Sequence, residues 1–207
     1  MGKRIAIDIN DVLRDYTRQF ANVYKKFVNP SFDIAYEDID DFDLLNIFPF
    51  ADENGTMDRY FLNRFKYEDY AFEIYARADA MDRMLPADFN LWTQNTMRNF
   101  DDEVLPEIFV FSPFEMNLSI QSTLSFLARF GIRLREIRFP ADSMSVWDDC
   151  DIMITANPNL ISNKPEGKTC IKIDAPYNKE AKGDYSFASM MDVIHDKDNI
   201  LVKLIEE

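Results

Sequence analysis

The chain has 207 residues, 47% of them hydrophobic, with 37 acidic against 23 basic side chains and a formal charge of −14. That length accommodates one domain, or a core domain with an insertion, and the apolar fraction suffices to bury a core. The acidic balance repels a phosphate backbone and excludes a nucleic-acid partner, while two cysteines without CxxC spacing and a single histidine, His195, exclude a structural zinc and a His-dependent triad.

No apolar stretch approaches the roughly 18 residues of a spanning helix. The first apolar run is interrupted by Asp8, and Ala6 breaks the myristoylation pattern. A soluble, cytoplasmic protein without a membrane partner is expected.

Ile5 to Ile9 read as a buried parallel strand, because a strand covered on both faces loses its polar alternation. Asp8 then falls at the carboxyl end, where open α/β sheets bind ligands. Tyr16, Phe20, Val23, Tyr24 and Phe27 recur at helical spacing until Asn29-Pro30 stops the helix. An acidic, irregular stretch over 37–53 follows, and Asn54-Gly55-Thr56 reads as a turn and N-cap for a helix carrying Met57, Tyr60, Phe61 and Phe65. Tyr70 to Ala80 reads as helical, and Asp88 as the cap of another helix bearing Phe89, Trp92 and Thr96.

From Glu107 the α/β rhythm resumes. Ile108 to Phe111 form a strand ending at Ser112-Pro113, and a helix through Ile120, Leu124, Leu127 and Phe130 ends at Gly131. Ile132–Phe139, Asp151–Ile154 and Cys170–Ile173 are three further strand candidates, and Ser186 to His195 reads as the last helix. The fold predicted is α/β: a doubly wound, mainly parallel five-stranded sheet of Rossmann type, with a helical cap subdomain inserted after the first strand. Residues 1–13 and 105–207 form the core and 14–104 the cap.

Asp8-Ile9-Asn10-Asp11-Val12-Leu13 resembles the first motif of haloacid dehalogenase-like (HAD) phosphohydrolases, Asp-x-Asp-Gly-Val/Thr-Leu. The resemblance implies that Asp8 is the nucleophile attacking phosphorus and that position 10 is the general acid and base. That position holds Asn10, whose carboxamide has no titratable group in the useful range. Ser112 stands where the pattern places a hydroxyl on a phosphate oxygen. Ser112-Pro113-Phe114-Glu115 also reads as a capping box with proline at the first helical position. Since a phosphate would sit at that same helix N-terminus, Ser112 and Pro113 are the candidate phosphate-binding residues.

The family also needs a lysine before its fourth motif, and none lies between Arg138 and Lys164. Arg138 or a residue distant in sequence would have to substitute. Asp151 to Leu160 resembles the Asp-Val-Leu-Ile-Asp-Asp-x-Pro-x-Asn-Leu stretch of 5′(3′)-deoxyribonucleotidases, with Thr155 and Ala156 at the positions of the metal-binding aspartates. A magnesium ion would then rest on Asp8 and the backbone of Asn10, and neither Thr155 nor Ala156 offers it a carboxylate. Asp148, Asp149 and Asp151 precede the strand and belong at its opposite end. Asp174 to Asn178 resembles the Pro-Tyr-Asn stretch that these nucleotidases carry after the fifth strand.

Two functions compete. In one, Asp8 and magnesium serve a nucleotidase-like phosphomonoesterase, with Phe20, Tyr24, Phe61 or Trp92 of the cap against a base. In the other, which Asn10, Thr155 and Ala156 favour, the chain is a pseudoenzyme without cofactor. It then binds a nucleotide or other small phosphorylated ligand, or serves a protein partner, unidentified, as an interaction module. A response-regulator receiver is disfavoured by the long helical insertion.

Overall fold

The structure is a computed structural model, and it describes residues 2–51, 54–81, 86–98, 105–112 and 118–206. Its centre is a parallel sheet in the order β3-β2-β1-β4-β5-β6, formed by β1 (Arg4–Asp8), β2 (Glu107–Phe111), β3 (Ile137–Arg138), β4 (Ile152–Thr155), β5 (Thr169–Ile173) and β6 (Tyr185–Phe187). Central β1 pairs with β2 from Arg4↔Glu107 to Asp8↔Phe111 and with β4 from Ile5↔Ile152 to Ile7↔Ile154.

Alternation along these strands feeds two cores. Ile5, Ile7, Val110, Ile154 and Ile171 face one side and pack with Phe126 and Leu127 of α5 (Leu118–Arg129), Met190 of α7 (Met190–Ile194) and Leu204 of α8 (Ile200–Glu206). Ala6, Phe109, Phe111, Met153 and Cys170 face the other and meet Trp147 and, from α6 (Pro158–Ser162), Leu160. Both faces being covered is why the strands read as unbroken apolar runs.

Among the described residues the sheet has six strands where five were expected. β6 is short, half-exposed and at the sheet edge, and Tyr185-Ser186-Phe187 carries no apolar run. Pairing to β5 makes it a strand, and the helix expected from Ser186 begins only at Met190, with Ser189 as its N-cap. Of the strand expected over 132–139, only Ile137–Arg138 pairs. Gly131 takes φ +64° behind α5, where a left-handed residue closes the helix.

Between β1 and β2 lie α1 (Tyr16–Phe27), α2 (Leu44–Ile47), α3 (Arg59–Arg64) and α4 (Pro86–Arg98). Asp58, not Thr56, caps α3, accepting from the Tyr60 N–H at 2.7 Å. Asp88 lies inside the first turn of α4 and does not precede it. The helix expected over 70–80 is a wide π-type turn at Phe72–Ala76, following a similar one at Phe65–Asp69. Phe20, Tyr24, Phe48, Phe50 and Phe65 form a separate aromatic core, with edge-on pairs such as Phe20–Phe48 at 5.0 Å. Phe89 of α4 instead joins the sheet's core.

Candidate functional site

The chain turns sharply where β1 ends. The Leu13 and Arg14 N–H groups donate back to the Ile9 carbonyl at 3.1 and 2.9 Å, and the Asp11 N–H donates to the Arg14 carbonyl at 2.8 Å. Asp11 takes φ +55°, a left-handed conformation that aspartate tolerates better than most residues. It occupies the position at which the resembled motif has glycine. Its carboxylate accepts from the Thr17 N–H at 2.9 Å, the Thr17 hydroxyl at 2.5 Å and the Tyr177 hydroxyl at 2.6 Å. Burial pushes the Asp11 carboxyl upward, and these bonds oppose the shift.

Asp8 is 1% exposed. Its Oδ1 accepts from the Asn10 N–H at 3.1 Å and its Oδ2 from the Thr155 hydroxyl at 2.8 Å. Burial raises its carboxyl from 3.8 to about 7, against the pull of those two bonds. Thr155 Oγ1 in turn accepts from the Asn157 N–H at 3.0 Å, and Asn157 caps α6 by accepting from the Asn159 N–H at 2.9 Å. Asn178 braces this rim. Its amide donates to the Ala156 and Ile173 carbonyls, both at 2.8 Å, and its Oδ1 accepts from the Ala175 N–H at 3.0 Å.

A cavity of about 310 Å³ opens over Asp8. Asp8, Asn10 and Asn157 form its floor, Tyr16, Phe42, Tyr67, Tyr75 and Tyr177 its walls, and Arg59 and Lys66 reach it from the inserted helices. Phe20, Tyr24, Phe61 and Trp92, the aromatics expected against a base, do not line it among the described residues. Phe20 and Tyr24 are spent on the aromatic core, Trp92 packs beside Phe89, and Phe61 is exposed.

Ser112 is fully buried behind Asn10, and its Oγ lies 3.4 Å from Nη2 of Arg14. Pro113 falls outside the described residues, as do Phe114 and Glu115. Arg138 does not supply the missing cation. It pairs with Glu136 and Asp149 at 2.5 Å each and stacks on Phe109 at 4.3 Å, so its charge is used elsewhere. Asp149 also faces Arg4, and Asp151 accepts from the Arg4 N–H at 2.9 Å, which places both at the amino end of the sheet, opposite Asp8.

The cation that lies beside Asn10 is Arg14. Sequence inspection passes over it, because an arginine after Val12-Leu13 carries no signal separating it from a surface charge. Around Asp8 the residues present do not fit a magnesium ion. Thr155 offers a hydroxyl already committed to Asp8, Ala156 offers no side-chain oxygen, and no group of three or more His, Cys, Asp or Glu suited to a metal exists among the described residues. Cys150 and Cys170 are buried and free, and burial pushes both thiols up to about 12, so neither is a nucleophile.

No family model matches the chain, and no curated protein matches its sequence. Among the described residues no helix is long and apolar enough to cross a membrane. Solved structures do match. A haloacid dehalogenase-like hydrolase from Burkholderia xenovorans aligns with TM-score 0.56 and 11% identity over 96% of this chain and 97% of its own. The HAD-hydrolase YfnB of Bacillus subtilis, solved bound to magnesium, aligns with TM-score 0.55 and 12% identity over 94% and 97%. A protein assigned as a phosphoglycolate phosphatase, from Lactobacillus plantarum, aligns with TM-score 0.53 and 10% identity over 94% and 98%. The order of the parallel sheet, its flanking helices and these alignments together give the chain the fold of the haloacid dehalogenase-like hydrolases.

Proposed function

We propose that the chain is a HAD-fold binding protein that holds a small phosphorylated ligand, such as a nucleotide, in the cavity over Asp8 and does not hydrolyse it. The observation that carries this reading is the 2.8 Å hydrogen bond from the Thr155 hydroxyl to Asp8 Oδ2. In the resembled nucleotidases this position supplies a metal carboxylate, whereas here it supplies a donor that ties up the Asp8 carboxylate. Asn10 adds a second loss, since removing a general acid and base costs about 10²- to 10⁴-fold by itself. Binding is supported by what remains: Arg59, Lys66 and Asn157 offer donors to an anion, and the tyrosines offer faces to a planar group.

The test is a magnesium-dependent hydrolysis assay on deoxynucleoside monophosphates and an aryl phosphate, run beside Asp8→Asn. The expected result is no turnover in either protein, with calorimetry detecting nucleotide binding to both. Turnover that disappears in Asp8→Asn would establish the phosphomonoesterase instead. Silence in both assays would leave the protein a structural or interaction module.

A further inference from the structure

The Arg14 side chain is wholly buried. Its guanidinium lies 4.8 Å from the ring centroid of Tyr75 and 5.5 Å from that of Phe126. It donates to Asn10 Oδ1 through Nε at 3.0 Å and again through Nη2, to Thr123 Oγ1 at 2.6 Å, and to the Tyr75 carbonyl and Ser112 Oγ at 3.4 Å. One planar fork thus joins the loop after β1, the end of β2, α5 and the inserted helices. Lysine, a point charge on a flexible stem, could not make the paired contact on Asn10 and lie between two rings at once.

We propose that Arg14 is a built-in cation of the Asp8 site, holding Asn10 and Ser112 and taking the electrostatic place of a divalent ion. This rests on reading the cavity as a site without hydrolysis, yet it concerns a different quantity, the response of the folded protein to magnesium alone. A doubly charged ion brought beside Asn10 would meet a fully buried guanidinium a few ångströms away, and like charges repel at that range. Asn10 is the acceptor this arrangement meets: its half-buried Oδ1 takes both donors from Arg14, and a carboxylate at the same position would accept them more strongly.

The test is thermal melting with and without magnesium chloride on the intact protein, Asn10→Asp, and Asn10→Asp with Arg14→Met. Wild type should show no magnesium-dependent change. Asn10→Asp should melt a few degrees higher in magnesium-free buffer, because its carboxylate pairs with Arg14, and magnesium should add nothing. Asn10→Asp/Arg14→Met should lose that gain and be raised by magnesium, since Asp8 and the new carboxylate then lack their cation. A magnesium-dependent rise in wild type or in Asn10→Asp overturns the proposal, as does a folded double variant that ignores magnesium. If the double variant does not fold, Asn10→Asp decides, and a lower melting temperature there overturns the proposal. A protein that hydrolyses phosphate esters yet shows these responses would refute the proposed function and leave the role of Arg14 standing.

Discussion

The hydroxyl of Tyr177 donates to Asp11 Oδ2 at 2.6 Å, joining loops 166 residues apart. The same carboxylate holds the first turn of α1 through Thr17, so a single buried group fastens the β1 loop, the loop after β5 and the start of the insertion. Asp11 therefore does more than fill a glycine position in a turn. Both partners are buried at the cavity wall, so neither is freely hydrated when the bond is lost.

Asp11→Gly sets two effects against each other. Glycine relieves the left-handed strain at φ +55°, worth about 1 kcal/mol. It also leaves the Thr17 N–H, the Thr17 hydroxyl and the Tyr177 hydroxyl without their acceptor, at about 1–3 kcal/mol for each buried group left unsatisfied. The losses win, and Asp11→Gly should unfold at lower denaturant than wild type by at least ~2 kcal/mol, as read from chemical denaturation. Tyr177→Phe should show a smaller loss of the same sign.

Asp8 makes stability depend on pH in a defined direction. Its folded carboxyl lies near 7 and its unfolded one near 3.8, so between those values the folded state binds the extra proton. Stability should accordingly fall as pH rises from about 4 to about 7 and level off above, by an amount on the order of a few kcal/mol for this one group. Asp8→Asn removes the titration. It should reduce that slope, leaving the contribution of the likewise raised Asp11 carboxyl, and melt higher than wild type at pH 8, where wild type carries the buried Asp8 carboxylate. A wild-type curve that rises through the same window would contradict the assignment.

Much of this architecture was legible in the residues. β1, β2, β4 and β5 announced themselves because buried parallel strands cannot hide their apolar runs, and Asp8 was placed at the ligand end of the sheet by strand direction alone. β6 was not legible, because a three-residue edge strand takes its identity from its neighbour. The π-type turns were not legible either, since their spacing is close to that of an ordinary helix over five residues. Arg14 was missed for a deeper reason. A search for a cation in the window before β4 assumes that charge is delivered by the same segment as in the resembled family, and here it comes from the first motif itself. Only the approach of Ser112, Thr123 and Tyr75 in space distinguishes that arginine from a surface one.

Asn178 is a third point of leverage. It satisfies one backbone N–H and two carbonyls in a wholly buried setting, bridging the ends of β4 and β5 beside the cavity. Asn178→Leu conserves size but withdraws all three partners, so a loss of roughly 3 kcal/mol or more is expected in denaturant unfolding. Asn178→Asp retains only the acceptor and adds a buried charge facing two carbonyls, and it should be no better tolerated.

The inserted helices offer a way to separate anion recognition from stability. Arg59 reaches the cavity while paired to Asp43, and that guanidinium holds the Asp43 carboxyl below its ordinary value. Arg59→Gln should weaken binding of a nucleoside monophosphate in calorimetry, because it removes a donor and leaves Asp43 as an uncompensated charge facing the ligand. Asp43→Asn should strengthen the same binding. It keeps an oxygen to cap α2 and accept from the Leu45 N–H at 3.2 Å, while releasing Arg59 toward the anion. Each change should be about 3- to 10-fold, since both groups are partly exposed and screened, and each should shrink as salt is raised. Lys66→Gln should weaken binding in the same direction as Arg59→Gln. Equal effects of Arg59→Gln and Asp43→Asn, or effects independent of salt, would remove the inserted helices from anion recognition and leave the floor residues to account for it.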